Sequence, residues 1–328
     1  MDSQAGRRVL LVGSPRSGTT WLAKIIDSDP TVLYRHEPDS INVRPDVPFV
    51  PELDDVGSYI QSAHDYFDVI QMERASKSSG SQPMFRKEYR GSGAEALRRL
   101  LVLGVKGGER ILGVNTFLTR FQVPDFANRT PKSGQTVFIK SVSSLCRTYM
   151  FSLACPKLKF VHILRHPCAY VASTLRGKKL GLLSDDAYIE TLANMSQAAD
   201  YGLTFDKLRA MSREEQLAAR WMLQNGKVMD EMEGSSNYRQ VVYEDLCNDP
   251  DAVVEELFEF LGLEVSEQTR TFIQQSSGGK AGETRYFDVK RDSAKAATSW
   301  MKELNESQID SIRRVVSSST VGRLYFAE

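Results

Sequence analysis

Four apolar residues, Val9 to Val12, run straight into Gly13-Ser-Pro-Arg-Ser-Gly-Thr-Thr-Trp21. This order reads as a β-strand, a glycine-bounded loop and a helix whose first turn carries two hydroxyls and an aromatic ring. Such a loop turns backbone N–H groups inward, and the helix N-terminus behind it adds a partial positive charge, so the combination binds phosphate. Gly13 and Gly18 have the spacing of the nucleotide loop G-x-x-x-x-G-K-[ST], but Thr19 stands where that pattern has lysine. The cation comes earlier, at Arg16. A loop built this way is expected to cradle something other than the γ-phosphate of ATP.

Trp21, Leu22, Ile25 and Ile26 share one face at helical spacing, and Asp29-Pro30 closes that helix. Strands are expected at 31–34, 136–139, 158–164 and 239–243, the third of them the most strongly apolar. Helices are expected from Pro167 onward, through 186–233, over 252–261 between the Asp249-Pro250 cap and Gly262, and in the amphipathic stretch 306–316. Residues 40 to about 80, rich in Pro, Asp and Ser, read as loops and irregular helix covering a site, with 76–82 as a mobile tip. A modest helix is expected at 94–103, and 104–134 reads as loop-rich again. Strands alternating with helices behind a phosphate loop predict an α/β fold: a parallel central sheet flanked by helices, P-loop-like, with ligands at its carboxyl edge. Neither a repeat nor a sharp linker divides the chain, so residues 1–328 read as a single domain.

Charge excludes some partners. Forty-two basic residues balance forty-two acidic ones, so no global field draws in nucleic acid or an anionic membrane, although a local basic cleft is compatible with the balance. No segment reaches the roughly 18 apolar residues of a membrane span. The first apolar run is shorter than a signal-peptide core and leads directly into the loop, so it is expected to belong to the fold. Cys146, Cys155, Cys168 and Cys247 are scattered without a C-x-x-C pair, which predicts buried free thiols and a cytoplasmic location.

The strand 158–164 runs into Arg165, with Ser173 eight residues further on in the following helix. An ATP- or GTP-using enzyme of this class needs a Mg²⁺-binding carboxylate at a strand end. A cation there suits a second phosphate group instead, and both side chains can reach one anion. The residues alone leave Arg165 equally readable as a structural ion-pair partner.

Taken together, these segments resemble the sulfotransferase family, which uses 3′-phosphoadenosine 5′-phosphosulfate (PAPS). Pro15-Arg-Ser-Gly-Thr-Thr-Trp21 is similar to its 5′-phosphosulfate loop, and Val161-His-Ile-Leu-Arg-His-Pro-Cys-Ala-Tyr-Val-Ala-Ser173 to its 3′-phosphate motif. Val242-Tyr-Glu-Asp-Leu246 with Asp249-Pro250, the helix end Phe260-Leu-Gly-Leu263, and more weakly Ser299-Trp-Met-Lys302 follow in the family's order. The resemblance implies PAPS as donor, adenosine 3′,5′-bisphosphate as product, no metal, and a small-molecule, glycan or lipid hydroxyl as acceptor. Residues 40–134 and 176–235 match no family segment and are expected to be the acceptor-binding insertions. The backbone of residues 16–20 (Arg16, Ser17, Gly18, Thr19, Thr20) would hold the 5′-phosphate, with the Thr19 and Thr20 hydroxyls. Arg165 and Ser173 would take the 3′-phosphate, Trp21 would stack on the adenine, plain core packing being its alternative, and Tyr243 and Ser276 would border the adenine. Arg291 and Lys295 stand near where the family often closes an Arg-Lys-Gly on the 3′-phosphate, but in a different spacing.

Sulfuryl transfer is an in-line displacement helped by positioning and electrostatics. By the resemblance, Arg16 stabilises the leaving phosphate oxygen; a guanidinium does this without lending a proton. Lys140 matches a family lysine that points at the sulfonate, or is a solvated lysine at a strand end. The histidine that phenol and steroid sulfotransferases carry two residues later is Val142 here. The carbohydrate and tyrosylprotein enzymes instead carry a Glu shortly after the first loop-helix, as does Glu37 in Tyr34-Arg-His-Glu-Pro38. Glu37 is the expected base and His36 its rival, and an ion pair of Glu37 with Arg35 or Arg16 is the structural alternative. His162, inside a buried strand, reads as a satisfied core histidine, and His64 has no partner in the pattern. A P-loop kinase using ATP and Mg²⁺, with Glu244 or Asp245 as the metal carboxylate, is the competing function, and a non-catalytic nucleotide-binding module is a third.

Overall fold

A computed structural model describes residues 6–112, 117–127, 134–179, 188–277 and 293–326. Its centre is a parallel sheet of β1 (Arg7–Val12), β2 (Val32–His36), β3 (Thr136–Ser141), β4 (Leu158–Leu164) and β5 (Tyr238–Val242). These lie side by side in the order β2–β3–β1–β4–β5. Helices cover both faces, which is why β1 and β4 read as nearly unbroken apolar runs instead of alternating. The fully buried polar residue inside β4 is His162, held between the Tyr238 hydroxyl (2.8 Å from Nδ1) and Asn225 Oδ1 (3.0 Å from Nε2). Burial pushes its pKa down to about 4, so it is the satisfied core histidine expected from its position in the strand.

The chain leaves β1 toward β2 and leaves β4 toward β5, so the connections diverge between those neighbouring strands. In parallel α/β sheets the carboxyl ends at such a divergence are where ligands bind. All five strands end at this same edge, and their C-terminal residues therefore share it.

On one face, α1 (Thr19–Asp27) buries Trp21, Leu22, Ile25 and Ile26 against the sheet. On the other, α2 (Ile60–Gln71) packs Tyr66 and Phe67 on Phe151. The segment 76–82 is not a mobile tip. Ser76–Ser79 is the short helix α3, and the Ser76 hydroxyl bonds Glu109 Oε1 and the Leu118 carbonyl, each at 2.8 Å. Lys24 then holds the carbonyls of Ser81 and Pro83. Helix α4 (Ser92–Leu112) also runs well past the expected 94–103, into a stretch that reads as loop. Its glycines at 104, 107 and 108 are poor helix formers, and tertiary bonds, such as Arg98 Nη2 to the Ser79 carbonyl at 2.6 Å, offset them.

Beyond β3, α5 (Thr148–Ala154) leads to β4, and α6 (Pro167–Lys179) opens with proline at its first turn, as expected. Three short helices, α7 (Tyr188–Ala193), α8 (Ser196–Asp200) and α9 (Phe205–Ala210), precede α10 (Arg213–Glu231). A reciprocal Ser212–Glu215 capping box starts α10. Tyr243 falls outside its strand and opens α11 (Tyr243–Asn248), followed by α12 (Pro250–Leu261) and α13 (Glu267–Ser277). Asp249 Oδ1 caps α12 and Gly262, at φ 71°, ends it, both as expected. The last described helices are α14 (Ser293–Thr298), α15 (Trp300–Glu303), α16 (Glu306–Val316) and α17 (Thr320–Arg323). The four cysteines are buried, and none of them is in a disulfide. No helix among the described residues is long and apolar enough to cross a membrane.

Candidate active site

The loop after β1 forms from residues that tolerate tight geometry. Gly18, at φ 85°, caps α1 without a side-chain bond, and Arg16 is held at φ 74°. A Cβ on Gly18 would lie 2.3 Å from Tyr243 Cδ2, and one on Gly13 2.8 Å from Ile163 Cγ2. Glycine is therefore demanded twice at position 18, by the backbone and by the ring that packs on it. Replacing Gly18 by alanine is expected to cost about 1–2 kcal/mol from the left-handed conformation alone, read as a lowered Tm with weaker nucleotide affinity. An unchanged affinity would show that the loop's shape does not matter to binding. No acidic side chain stands in the first turn of α1, and the Ser17 hydroxyl is buried without a hydrogen-bond partner.

Three predicted residues, far apart in sequence, converge here. Arg16 Nε donates to Ser173 Oγ at 3.2 Å, and Arg165 Nη1 donates to the Arg16 carbonyl at 2.8 Å. Arg165 Nη2 binds the Ala296 carbonyl at 2.8 Å, its guanidinium lies 4.7 Å from the Tyr243 ring centre, and its Nε is buried without a partner. Trp21 meets Tyr243 edge-on at 6.1 Å and donates its indole N–H to Ser276 Oγ at 3.0 Å. Trp21, Tyr243 and Ser276 are all buried, with Trp21 and Tyr243 in the core cluster on this face. Arg291 lies outside the described residues, as does the side chain of Lys295, which sits on α14.

The second group lies on the other side of the loop. His36 pairs in register with Lys140 across β2 and β3, and Glu37 N donates to the Lys140 carbonyl at 2.7 Å. Glu37, at φ 46°, turns its carboxylate onto the Lys140 ammonium in an ion pair. Neither structural partner expected from sequence holds it: Arg35 forks onto Asp125 at 3.0 and 2.6 Å, and Arg16 faces Ser173. Lys140 is 2% exposed, so it is not a solvated strand-end lysine either. Burial alone would raise the Glu37 pKa, but Lys140, and to a lesser degree His36, bring it below the ordinary value. Burial and the Lys140 charge push His36 down to about 3. His36 is therefore neutral at physiological pH, with Nδ1 2.8 Å from the Tyr34 hydroxyl, and it is a weak proton acceptor.

Sequence reasoning missed the groups that brace this arrangement. Asn225 Nδ2 donates to Ser14 Oγ at 3.0 Å while Asn225 Oδ1 faces His162, tying the loop to α10 and β4. The Trp221 indole N–H fixes the Arg165 carbonyl at 3.0 Å. Asp39 Oδ2 accepts from the Ser141 and Ser144 hydroxyls at the end of β3. A lone asparagine one turn after a tryptophan, on a mostly apolar helix face, is the one signal that pointed to the first of these.

The sulfotransferase family model matches residues 8–267. The chain belongs to the sulfotransferase family. No curated protein sequence matches it. Among solved structures, the sulfotransferase domain of the Synechococcus PCC 7002 olefin synthase is similar at 16% identity and TM-score 0.43, with 96% of each chain covered. The sulfotransferase domain from the curacin biosynthetic pathway is similar at 14% identity and TM-score 0.47, covering 96% of this chain and 98% of that one. Mouse sulfotransferase SULT7A1, complexed with PAP, is similar at 16% identity and TM-score 0.44, covering 98% and 90%.

Family membership makes this chain a sulfuryl-transferring enzyme and gives no support to the kinase reading. In this sulfotransferase Glu244, one of the two carboxylates that reading offered for a metal, accepts from the His166 backbone N–H at 3.1 Å. Burial raises its pKa. Along the carboxyl edge the order is Glu37 (β2), Lys140 (β3), the loop (β1), Arg165 (β4) and Tyr243 (β5). With strands about 4.8 Å apart, roughly 14 Å separate the ends of β2 and β4.

Proposed function

We propose that this sulfotransferase moves the sulfuryl group of PAPS to a hydroxyl acceptor, a sugar, lipid or natural-product alcohol, with Glu37 as base in the manner of the carbohydrate and tyrosylprotein enzymes. The observation that carries the reading is the convergence of Arg16, Ser173 and Arg165 at the glycine loop. That makes a second polar, cationic locus beside the first, where a donor with a 3′-phosphate has a group to place and ATP has none. The unpartnered Ser17 hydroxyl and Arg165 Nε fit an anion at this point. Backbone N–H groups of residues 16–20 and the Thr19 and Thr20 hydroxyls would hold the 5′-phosphate, Arg165 and Ser173 the 3′-phosphate, and Trp21, Tyr243 and Ser276 the wall near the adenine.

Glu37 and Lys140 carry the chemistry on the β2–β3 side, with Arg16 in the loop beside them. Arg16 and Glu37 are two of the three non-glycine residues with positive φ among the described residues, the third being Phe126. Strained backbone of this kind gathers where a side chain must be aimed. Lys140 neutralises Glu37 until a sulfonate competes for its ammonium. As Lys140 turns to the sulfonate, Glu37 loses its partner and its basicity rises, so the base is armed where the donor sits. The acceptor oxygen then bonds to sulfur, the bond from sulfur to the 5′-phosphate oxygen breaks, and the hydroxyl proton passes to Glu37. Arg16 stabilises the charge left on that phosphate.

The test is incubation with labelled PAPS and an acceptor panel, with the product identified by mass spectrometry. Label is expected in a sulfated alcohol, with one adenosine 3′,5′-bisphosphate formed per transfer and no requirement for added Mg²⁺. Phosphate transfer from ATP with Mg²⁺ would establish the kinase reading instead. A thermal shift with the bisphosphate but no transfer to any acceptor or cell-extract component would leave a binding module.

A further inference from the structure

Helix α4 faces the protein with its polar side. The inward stripe is Glu95, Arg98, Val102, Val105 and Glu109, all buried. The opposite stripe, at the same three- and four-residue spacing, is Leu97, Leu100, Gly104, Gly107 and Ile111. Leu100 is 68% exposed and Ile111 85%, and Phe117, in the 3₁₀ turn that follows, is 76% exposed. A helix on a water-facing surface has the reverse pattern.

Charge on α4 is divided in the same way. Its two carboxylates are turned inward and satisfied: Glu95 pairs with Arg90 at 3.2 Å, and Glu109 accepts from Ser76 and from Lys106. The charges left at the surface are cations along one flank of the apolar stripe. They are exposed Arg110, half-exposed Arg99 (3.4 Å from Glu95) and the partly buried Lys106. A chain with no net charge therefore presents one face, about 31 Å long from 21 residues at 1.5 Å each, that is apolar and positive.

We propose that α4 is a peripheral membrane contact that lies on anionic lipid, its leucines and isoleucine entering the headgroup–acyl boundary and its arginines meeting lipid phosphates. Apolar residues flanked by Arg and Lys are the pattern that lies in a bilayer interface, and each cation near an anionic surface adds to the attraction. A second copy docked antiparallel on the same stripe would bring the two cationic flanks together, which favours lipid as the occupant. This assignment is independent of the donor and of the base.

The test is co-sedimentation of the full chain with vesicles of phosphatidylcholine alone or with 30% phosphatidylglycerol at about 1 mM lipid, a range suited to weak interfacial binding. Wild type is expected to partition onto the anionic vesicles, and Leu100→Glu/Ile111→Glu to lose about tenfold or more of that binding. Arg99→Gln/Arg110→Gln is expected to remove most of the preference for the anionic lipid. Circular dichroism and the thermal shift with adenosine 3′,5′-bisphosphate should match wild type in both variants, since all four side chains are at the surface. Wild type left in the supernatant, or an apolar-stripe variant that partitions like wild type, would overturn the proposal. Self-association abolished by the same variant without vesicle binding would overturn it in favour of a second copy.

Discussion

Replacing Arg165 by alanine is expected to weaken adenosine 3′,5′-bisphosphate binding about 10- to 100-fold, the worth of a charge-assisted hydrogen-bond pair to an anion, while weakening AMP binding far less. The comparison is needed because the proposed 3′-phosphate contact would come on top of a structural role of Arg165. Its Nη1 and Nη2 hold the carbonyls of Arg16 and Ala296, so alanine also leaves buried acceptors unpaired and loosens the loop. That damage falls on both nucleotides equally, since both place a 5′-phosphate in the loop, and it cancels in the ratio of the two affinities. Isothermal titration of each ligand gives the ratio directly. Arg165→Lys separates charge from shape, keeping the cation and losing the fork; an intermediate ratio is expected. Equal losses for the two nucleotides would mean that Arg165 is a brace for the loop and does not read the 3′-phosphate.

Replacing Glu37 by glutamine is expected to lower turnover about 10²- to 10⁴-fold, the usual worth of a positioned base, with bisphosphate affinity nearly unchanged. The amide keeps the size of the carboxylate but leaves the buried Lys140 ammonium without its counter-charge, so Tm should fall as well. Retained nucleotide affinity then shows that the variant is folded, and unchanged turnover would remove Glu37 from the mechanism. pH dependence gives a second reading. Glu37 sits below the ordinary carboxylate value, so its ion pair contributes stability above the unfolded pKa and loses it as pH falls through the lower folded one. His36 sits at about 3 against about 6.5 unfolded. Between those values the unfolded chain binds the extra proton, so this group costs stability as pH falls through that window. The rate profile should therefore lack a limb near 6.5 from His36, and His36→Asn should leave its shape unchanged. A limb near 6.5 that His36→Asn removes would make His36 the base.

Much of the site was legible because its determinants are local. The turn after Val12, the glycine at 18 and the proline opening α6 depend on neighbours within a few residues, as does the Asp249-Pro250 cap. The helical stretch at 104–112 was not legible. Its glycines argue for loop, and it is held as helix by Arg98 on the Ser79 carbonyl and Ser76 on Glu109. Ser76–Ser79 failed for the matching reason: a serine run reads as solvent-facing until a partner 33 residues away accepts its hydrogen bond. Asn225 shows the same limit, because its bond to Ser14 spans 211 residues.

By itself, then, the sequence determined the glycine-bounded loop after β1, its unusual cation at Arg16, the strand ends at Lys140 and Arg165, and the family those segments belong to, because periodicity and turn chemistry act over short spans. Only the tertiary structure decided the partners. Glu37 could have paired with Arg35 or Arg16, and it meets Lys140, 103 residues away, because β2 and β3 run in register and end together. The order of strands along the sheet places that pair on one side of the loop and Arg165 on the other. Strand order is a property of the packed sheet and of no segment within it.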